Sequence, residues 1–300
     1  MSTVIVIGNG FDIDLGWRTS YRDFYECKKG WEMFKTDEDD LFQYIIKHVA
    51  ENWFDFERTL HEYCVKKSKE DVSKDIISKD LNTYKSLKSE LGLFIQERSK
   101  EAVNKHSFAY RLLEKYVEVC RYRLSSDSVP LLFSFNYTAL DDVAKQIDPK
   151  WKFSYNPLHG TLTGNNIIFG FHDDMNIRKE YRDLQKSSDN TYNPAEFVTP
   201  LMDSNNIIFF GVSMGFIDSV YFEEMFKRVS VVGGFRERMH KKITFITKNE
   251  QTKREIKNNL QDIGIGIQML SVTNSVNYIL TSGGDKIEQK NNFLNLLNTI

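Results

Sequence analysis

The feature that most restricts this chain is the placement of its glycines. Gly8, Gly10 and Gly16 crowd behind a β-branched apolar run, Thr3-Val-Ile-Val-Ile-Gly8, whereas from Trp31 to Val129 there is one glycine, Gly92, and no proline. A short run of that kind closed by glycine is the pattern of a strand buried on both faces. A stretch of roughly a hundred residues without turn punctuation reads as helices. The stripes agree: Phe56, Leu60, Tyr63 and Cys64, then Ile77, Leu81, Tyr84, Leu91, Phe94 and Ile95, then Leu113, Val117 and Cys120, each at amphipathic helical spacing. Ser20 followed by Asp23 reads as a capping-box variant opening the first helix.

Five further apolar runs resemble the first: Leu131–Phe135, Ile167–Gly170, Ile207–Gly211, Ile243–Thr247 and Ile265–Leu270. Helical candidates follow three of them, at Ala139–Ile147, Ile217–Val229 and Glu250–Leu260. The alternation predicts an α/β fold, a doubly wound, mostly parallel sheet of about six strands, with a site at the carboxyl ends of the strands. The large all-helical segment falls after the first strand. Residues 1–19 and 130–300 therefore read as the sheet-bearing core, which the resemblance described below makes a nucleotide-binding one, and 20–129 as a helical insertion.

Composition narrows the function classes. Lys and Arg number 40 against 42 Asp and Glu, a formal charge of −2, and the signs are intermixed. A basic nucleic-acid clamp is excluded, and no direct nucleic-acid partner is expected. Cys27, Cys64 and Cys120 are isolated, so neither a disulfide scaffold nor a cysteine metal site is expected. No run approaches the roughly 20 apolar residues needed to cross a bilayer. A soluble cytoplasmic protein is the expectation.

The chemistry-bearing residues sit at predicted strand ends. The first strand runs into Gly8-Asn9-Gly10-Phe11-Asp12, with Gly16 and Thr19 beyond. Such a loop suits either close approach of a phosphate-bearing ligand or a tight structural turn. It is neither G-x-G-x-x-G nor a P-loop. Asn136 ends the second strand, His159 follows in Pro157-Leu-His-Gly160, and Gly211-Val-Ser213 ends another strand. Phe171-His-Asp-Asp174 lacks metal-ligand spacing, and no metal is expected. Gly211-Val-Ser-Met-Gly215 has nucleophile-elbow spacing, but the only later histidine is His240, and a suitably ordered triad is not evident.

Gly8-Asn-Gly-Phe-Asp12, Gly16, Thr19-Ser-Tyr-Arg-Asp-Phe24, Asn52-Trp-Phe-Asp-Phe-Glu57, Phe135-Asn-Tyr-Thr138 and His159-Gly160 together resemble the bacteriophage abortive infection AbiH family. A wider resemblance is to the sirtuin-like superfamily, including its NAD-cleaving antiphage members. Gly8, Gly10 and Gly16 match its glycine motif, with Asp12 in place of a serine. Asn136-Tyr-Thr138 matches its N-[IY]-D element, with Thr in place of Asp. His159-Gly160 and Gly211-Val-Ser213 match two more. The four-cysteine zinc module of sirtuin deacetylases has no counterpart, which disfavours protein deacylation.

The resemblance implies a sirtuin-like core that hydrolyses NAD to nicotinamide and ADP-ribose. In that reading Asn136 orients a ribose hydroxyl or water and His159 is the general base. Gly8, Asn9, Gly10, Phe11, Asp12, Gly16, Thr19, Gly211 and Ser213 contact the dinucleotide, which is substrate rather than resident cofactor. The implied partners are NAD or a related nucleotide, a phage-derived trigger or partner protein, and a second copy of the chain meeting it through the helical insertion. The alternative is a nucleotide-binding sensor or scaffold of a defence system without turnover. Asp55 and Glu57 are candidates either to reach the pocket or to cap and pack a helix.

Overall fold

A computed structural model describes residues 2–27, 41–49, 56–122, 129–150, 154–162, 166–231 and 240–300. The chain divides into two compact units, one of Met1–Trp17, Glu101–Leu158 and Asn193–Ile300, the other of Arg18–Lys100 and His159–Tyr192.

The first unit carries one open sheet. Its strands are β1 (Thr3–Ile7), β2 (Leu131–Ser134), β3 (Asn156–Pro157), β4 (Asn206–Phe210), β5 (Lys242–Thr247) and β6 (Ser275–Leu280), in the order β3-β2-β1-β4-β5-β6. Every neighbouring pair is parallel. From β1 the chain first builds outward through β2 and β3, then returns to the other side of β1 for β4, so the β1/β4 boundary is a topological switch point.

Parallel strands need crossovers and both faces covered. Ile5, Ile7, Leu132, Ile208, Phe210, Ile246 and Ile279 point to one face. They pack in one cluster with residues of helices α1 (Asn9–Leu15), α6 (Phe108–Tyr122), α7 (Asp141–Ile147) and α12 (Lys286–Leu297). The alternate positions include Phe133, Phe209, Phe245 and Tyr278, and rings of α8 (Ala195–Asp203) and α9 (Phe216–Val229) pack on that face. Phe133 meets Phe197 edge-on at 5.0 Å and Phe209 meets Phe222 at 5.3 Å. Register aligns Phe209, Phe245 and Tyr278 across three strands, and their rings stack at 5.3 and 5.2 Å. Helices on both faces make the sheet doubly wound, as the alternation of runs predicts. The predicted helices at 139–147, 217–229 and 250–260 appear as α7, α9 and α10 (Glu250–Asp262).

Two of the six predicted strands are placed elsewhere. Ile167–Gly170 lies outside the sheet in the second unit, and the third strand is instead the two-residue β3. The run from Ile265 feeds α11 (Ile267–Thr273) behind Gly266, and the edge strand is β6. An edge strand is half-solvated, so its sequence, Ser275-Val-Asn-Tyr-Ile-Leu280, alternates polar and apolar residues and lacks the continuous run of a central strand.

The second unit holds α2 (Tyr21–Cys27), α3 (Leu41–Val49), α4 (Phe56–Ser68) and α5 (Lys74–Arg98), with 3₁₀ turns between Lys179 and Ser188. Ser20 caps α2 as its sequence suggests: its Oγ accepts from Asp23 N–H at 3.1 Å, and the Asp23 carboxylate accepts from Ser20 N–H at 3.2 Å. Phe24, Phe56 and Phe94 form the apolar centre. Asp80, buried on α5, accepts from the phenols of Tyr63 at 2.8 Å and Tyr181 at 2.5 Å. Of the helices read within 20–129, α6 belongs to the sheet-bearing unit.

Candidate functional site

In the sheet-bearing unit the candidate site is assembled where β1 and β4 end. Gly8 N–H donates to Phe210 O at 2.9 Å and Gly10 N–H to Gly211 O at 3.0 Å, so the two strand-end loops stay in backbone contact past the sheet. That contact is why the positions are glycine. A Cβ at Gly10 would lie 2.6 Å from Gly211 Cα, and one at Gly211, whose φ is +65°, would lie 2.4 Å from Gly10. The amides of Gly8 and Gly10 are thus donated to carbonyls rather than directed at a ligand. Gly16 closes α1 in the left-handed region at φ 103°. Beyond Ser213, Met214 is buried with φ 57°, a conformation that costs about 1–3 kcal/mol for a non-glycine residue and collects at functional sites.

Asn136 follows β2, where Phe135 N–H still donates to Ile7 O at 2.9 Å. Its amide nitrogen donates to Gly8 O at 3.0 Å and to Asp12 Oδ1 at 2.8 Å. Thr138 Oγ1 donates to Asp12 Oδ2 at 2.9 Å. Asp12 is 1% exposed, Thr138 1% and Asn136 7%. A carboxylate is therefore held in the protein interior by neutral donors from the following strand end, and such charge-assisted bonds contribute about 1.5–3 kcal/mol each. Tyr155 belongs to the same unit, and its phenol is pushed up to about 12, first by burial and further by the negative charges of Asp141 and Asp12.

The other predicted residues are distributed as follows. Asn9 opens α1 and is partly exposed. Phe11 is buried and meets Phe210 edge-on at 5.2 Å. Ser213 is exposed, its Oγ accepting from Gly215 N–H at 3.2 Å. Thr19 is buried in the second unit. Trp53 and Asp55 lie outside the described residues. In the Phe171–Asp174 segment, Asp174 pairs with His61 Nε2 at 2.9 Å. Among the described residues no group of three His, Cys, Asp or Glu could hold a metal, and no helix is long and apolar enough to cross a membrane.

His159 belongs to the second unit and stands in a different cluster there. Lys186 Nζ lies 3.1 Å from His159 Nε2 and donates to Glu57 Oε2 at 3.2 Å, while Glu57 Oε1 accepts from Gly170 N–H at 3.2 Å. All three side chains are buried. A general base needs an unoccupied ring nitrogen, and Nε2 of His159 is committed to an ammonium. Sequence reasoning passed over Lys186. It sits in a polar stretch, Gln185-Lys-Ser-Ser188, that reads as a solvated loop, and a fully buried lysine is rare.

A model of the family described as bacteriophage abortive infection AbiH matches residues 4–233. The chain belongs to the AbiH family. That membership suggests a role in abortive infection of bacteriophage. The AbiH match runs from β1 through α9, takes in both the Asp12 and the Lys186 clusters, and ends before β5. No curated protein matches the chain.

Proposed function

We propose that this AbiH-family protein is an abortive-infection effector that hydrolyses the bond between nicotinamide and ribose in NAD. The observation that carries the reading is the buried Asp12 carboxylate at the switch-point end of β1, held by Asn136 and Thr138. Asp12 and Thr138 are two of the positions at which the chain departs from the sirtuin-like pattern. They are hydrogen-bonded to each other, a carboxylate and a hydroxyl in exchanged places. That supports a sirtuin-like core with its polar set conserved in kind but rearranged.

The chemistry suits such a group. In the hydrolysis, water attacks the ribose carbon, the C–N electron pair leaves with nicotinamide, which becomes neutral, and the water surrenders one proton. The ribose passes through an oxocarbenium-like state, which a preorganised carboxylate stabilises. Asn136 offers an amide carbonyl to a ribose hydroxyl or to the attacking water, its amide hydrogens being placed on Gly8 and Asp12. His159 is the proposed acceptor of that proton, a role that requires its Nε2 lone pair to be released from Lys186. A second reading, nucleotide binding without turnover, is favoured by the way the Gly8, Gly10 and Asn136 donors already have acceptors within the protein.

Purified full-length protein incubated with NAD is expected to release nicotinamide and ADP-ribose, with Asn136→Ala and Asp12→Asn each slowed about a hundredfold, the usual loss for one electrostatic contact to a transition state. His159→Ala reads the proton-transfer role separately. An unchanged rate in Asn136→Ala would overturn the assignment. NAD-dependent thermal stabilisation without product supports the second reading, and the absence of both sinks the two together.

A further inference from the structure

The cluster around Lys186 has a geometry that dictates a protonation state. Three residues converge on the backbone segment Ile168–Phe171, two through their backbone and one through its side chain. His159 reaches it through its carbonyl, which accepts from Ile168 N–H at 2.7 Å. Lys186 reaches it through its own N–H, which donates to Phe171 O at 2.7 Å. Glu57 reaches it through the Gly170 amide at 3.2 Å. The segment between is itself pinned. Gly170 has φ +149° and would place a Cβ 2.2 Å from Leu184 O, and the Tyr84 phenol donates to Phe169 O at 2.5 Å. Gly160, beside His159, has φ +71° and would place a Cβ 1.9 Å from Asn166 O. The three side chains are consequently presented on a backbone with little freedom to shift.

Within that frame, Lys186 Nζ bridges a carboxylate oxygen at 3.2 Å and an imidazole nitrogen at 3.1 Å, with no exposure of its side chain. An ammonium has three donors and no acceptor, so the nitrogen facing it must offer a lone pair. A doubly protonated imidazole would set a proton against that ammonium and a second positive charge beside it, against one carboxylate. A neutral imidazole with its lone pair on Nε2 meets the ammonium with a single proton between the two nitrogens.

We propose that Lys186, anchored by Glu57, is a positioning residue that fixes His159 as the neutral tautomer with its proton on Nδ1 and its Nε2 lone pair on the lysine. Insofar as His159 serves NAD hydrolysis, and this clause rests on that reading, it acts as a hydrogen-bond donor through Nδ1 and becomes a base at Nε2 only when Lys186 is displaced. The tautomer itself is a property of the folded chain and needs no turnover.

Two-bond proton–nitrogen correlation spectra of the ¹⁵N-labelled full chain at neutral pH report which ring nitrogen of each of the six histidines carries the proton. His159 is assigned by its loss in His159→Gln. The expected pattern is a protonated Nδ1 and an unprotonated Nε2. Lys186→Met should release the preference, so that both nitrogens move toward intermediate, exchange-averaged shifts. Because that variant strands a buried carboxylate, Glu57→Gln with Lys186→Met provides a charge-neutral companion that keeps an acceptor for Gly170 N–H. A wild-type spectrum with the proton on Nε2, or on both nitrogens, overturns the proposal. So does an unchanged Nδ1–H tautomer in the folded double variant. Neither result touches the NAD assay, and an inactive wild type leaves the spectra fully readable.

Discussion

The Asp12 cluster and the Lys186 cluster bury a carboxylate in opposite ways. Asp12 accepts from two neutral donors, the Asn136 amide and the Thr138 hydroxyl, both supplied by the segment that follows β2. Glu57 is balanced by a full positive charge from a loop residue far away in sequence, Lys186, and by one backbone amide. The first arrangement holds its carboxylate with hydrogen bonds from neutral groups; the second sets its carboxylate against an ammonium. On the function proposed above, the first cluster supplies charge stabilisation and the second places a proton.

The largest expected effect separates the two. Lys186→Met removes the ammonium that lies between Glu57 and His159 and should destabilise the fold by about 3–5 kcal/mol, the usual consequence of stranding one half of a buried ion pair. Adding Glu57→Gln should recover most of that loss. Urea denaturation at neutral pH measures both. If Lys186→Met cost no more than a surface lysine, the pair would not be the desolvated bridge described, and the contrast with Asp12 would collapse.

A smaller loss is expected in the first cluster, where the donors on Asp12 from Asn136 and Thr138 are neutral. Asp12→Ala orphans the donors of Asn136 and Thr138 and should cost about 2–3 kcal/mol, whereas Asp12→Asn keeps an acceptor and should cost about 1 kcal/mol. Because the donors are neutral, Asn136→Ala should weaken catalysis far more than it weakens the fold. Comparing NAD turnover with the urea midpoint in the same three variants sharpens the division. A variant that lost stability and activity in step would place Asp12 among packing residues.

How much of this was legible in the sequence follows the same divide. Gly8, Asp12, Asn136 and Thr138 lie within a few residues of apolar runs that end at the same edge of a parallel sheet, so locating the strands locates the residues. The Lys186 cluster joins the first turn of α4 to two irregular segments, and no periodicity announces such a meeting. Ile167–Gly170 misleads for a related reason: its residues are apolar because they are buried in the helical unit, where Tyr84 stacks on Phe169 at 5.9 Å, and burial alone does not make a strand. β6 was hidden by the reverse effect, an edge strand whose exposed face carries polar residues. The reading of Gly8 and Gly10 as either ligand loop or tight turn is informed by Gly211, whose backbone they touch.

The smallest effect sets the two units against each other through pH. In the sheet-bearing unit, burial pushes the Asp14 carboxyl above its ordinary 3.8, against the pull of hydrogen bonds from Ala109 N–H, Thr281 and Phe108 N–H. In the helical unit, the Asn176 amide and then His61 hold Asp174 below 3.8. Folded Asp14 keeps its proton more tightly than the unfolded chain does, so its contribution to stability falls as pH rises from 3.8 through the raised folded value. Folded Asp174 gives up its proton more readily, so its contribution is complete above 3.8 and is lost as pH falls through the lowered folded value. Asp14→Asn keeps an acceptor for Ala109 N–H and should make stability climb more steeply with pH just above 3.8. Asp174→Asn should flatten the climb just below 3.8, and only modestly, since the pair is reached by water and screened by salt. Urea midpoints measured across that acid range decide the matter. Slopes that change in the same sense in both variants would show that the two carboxyl groups are shifted in the same direction.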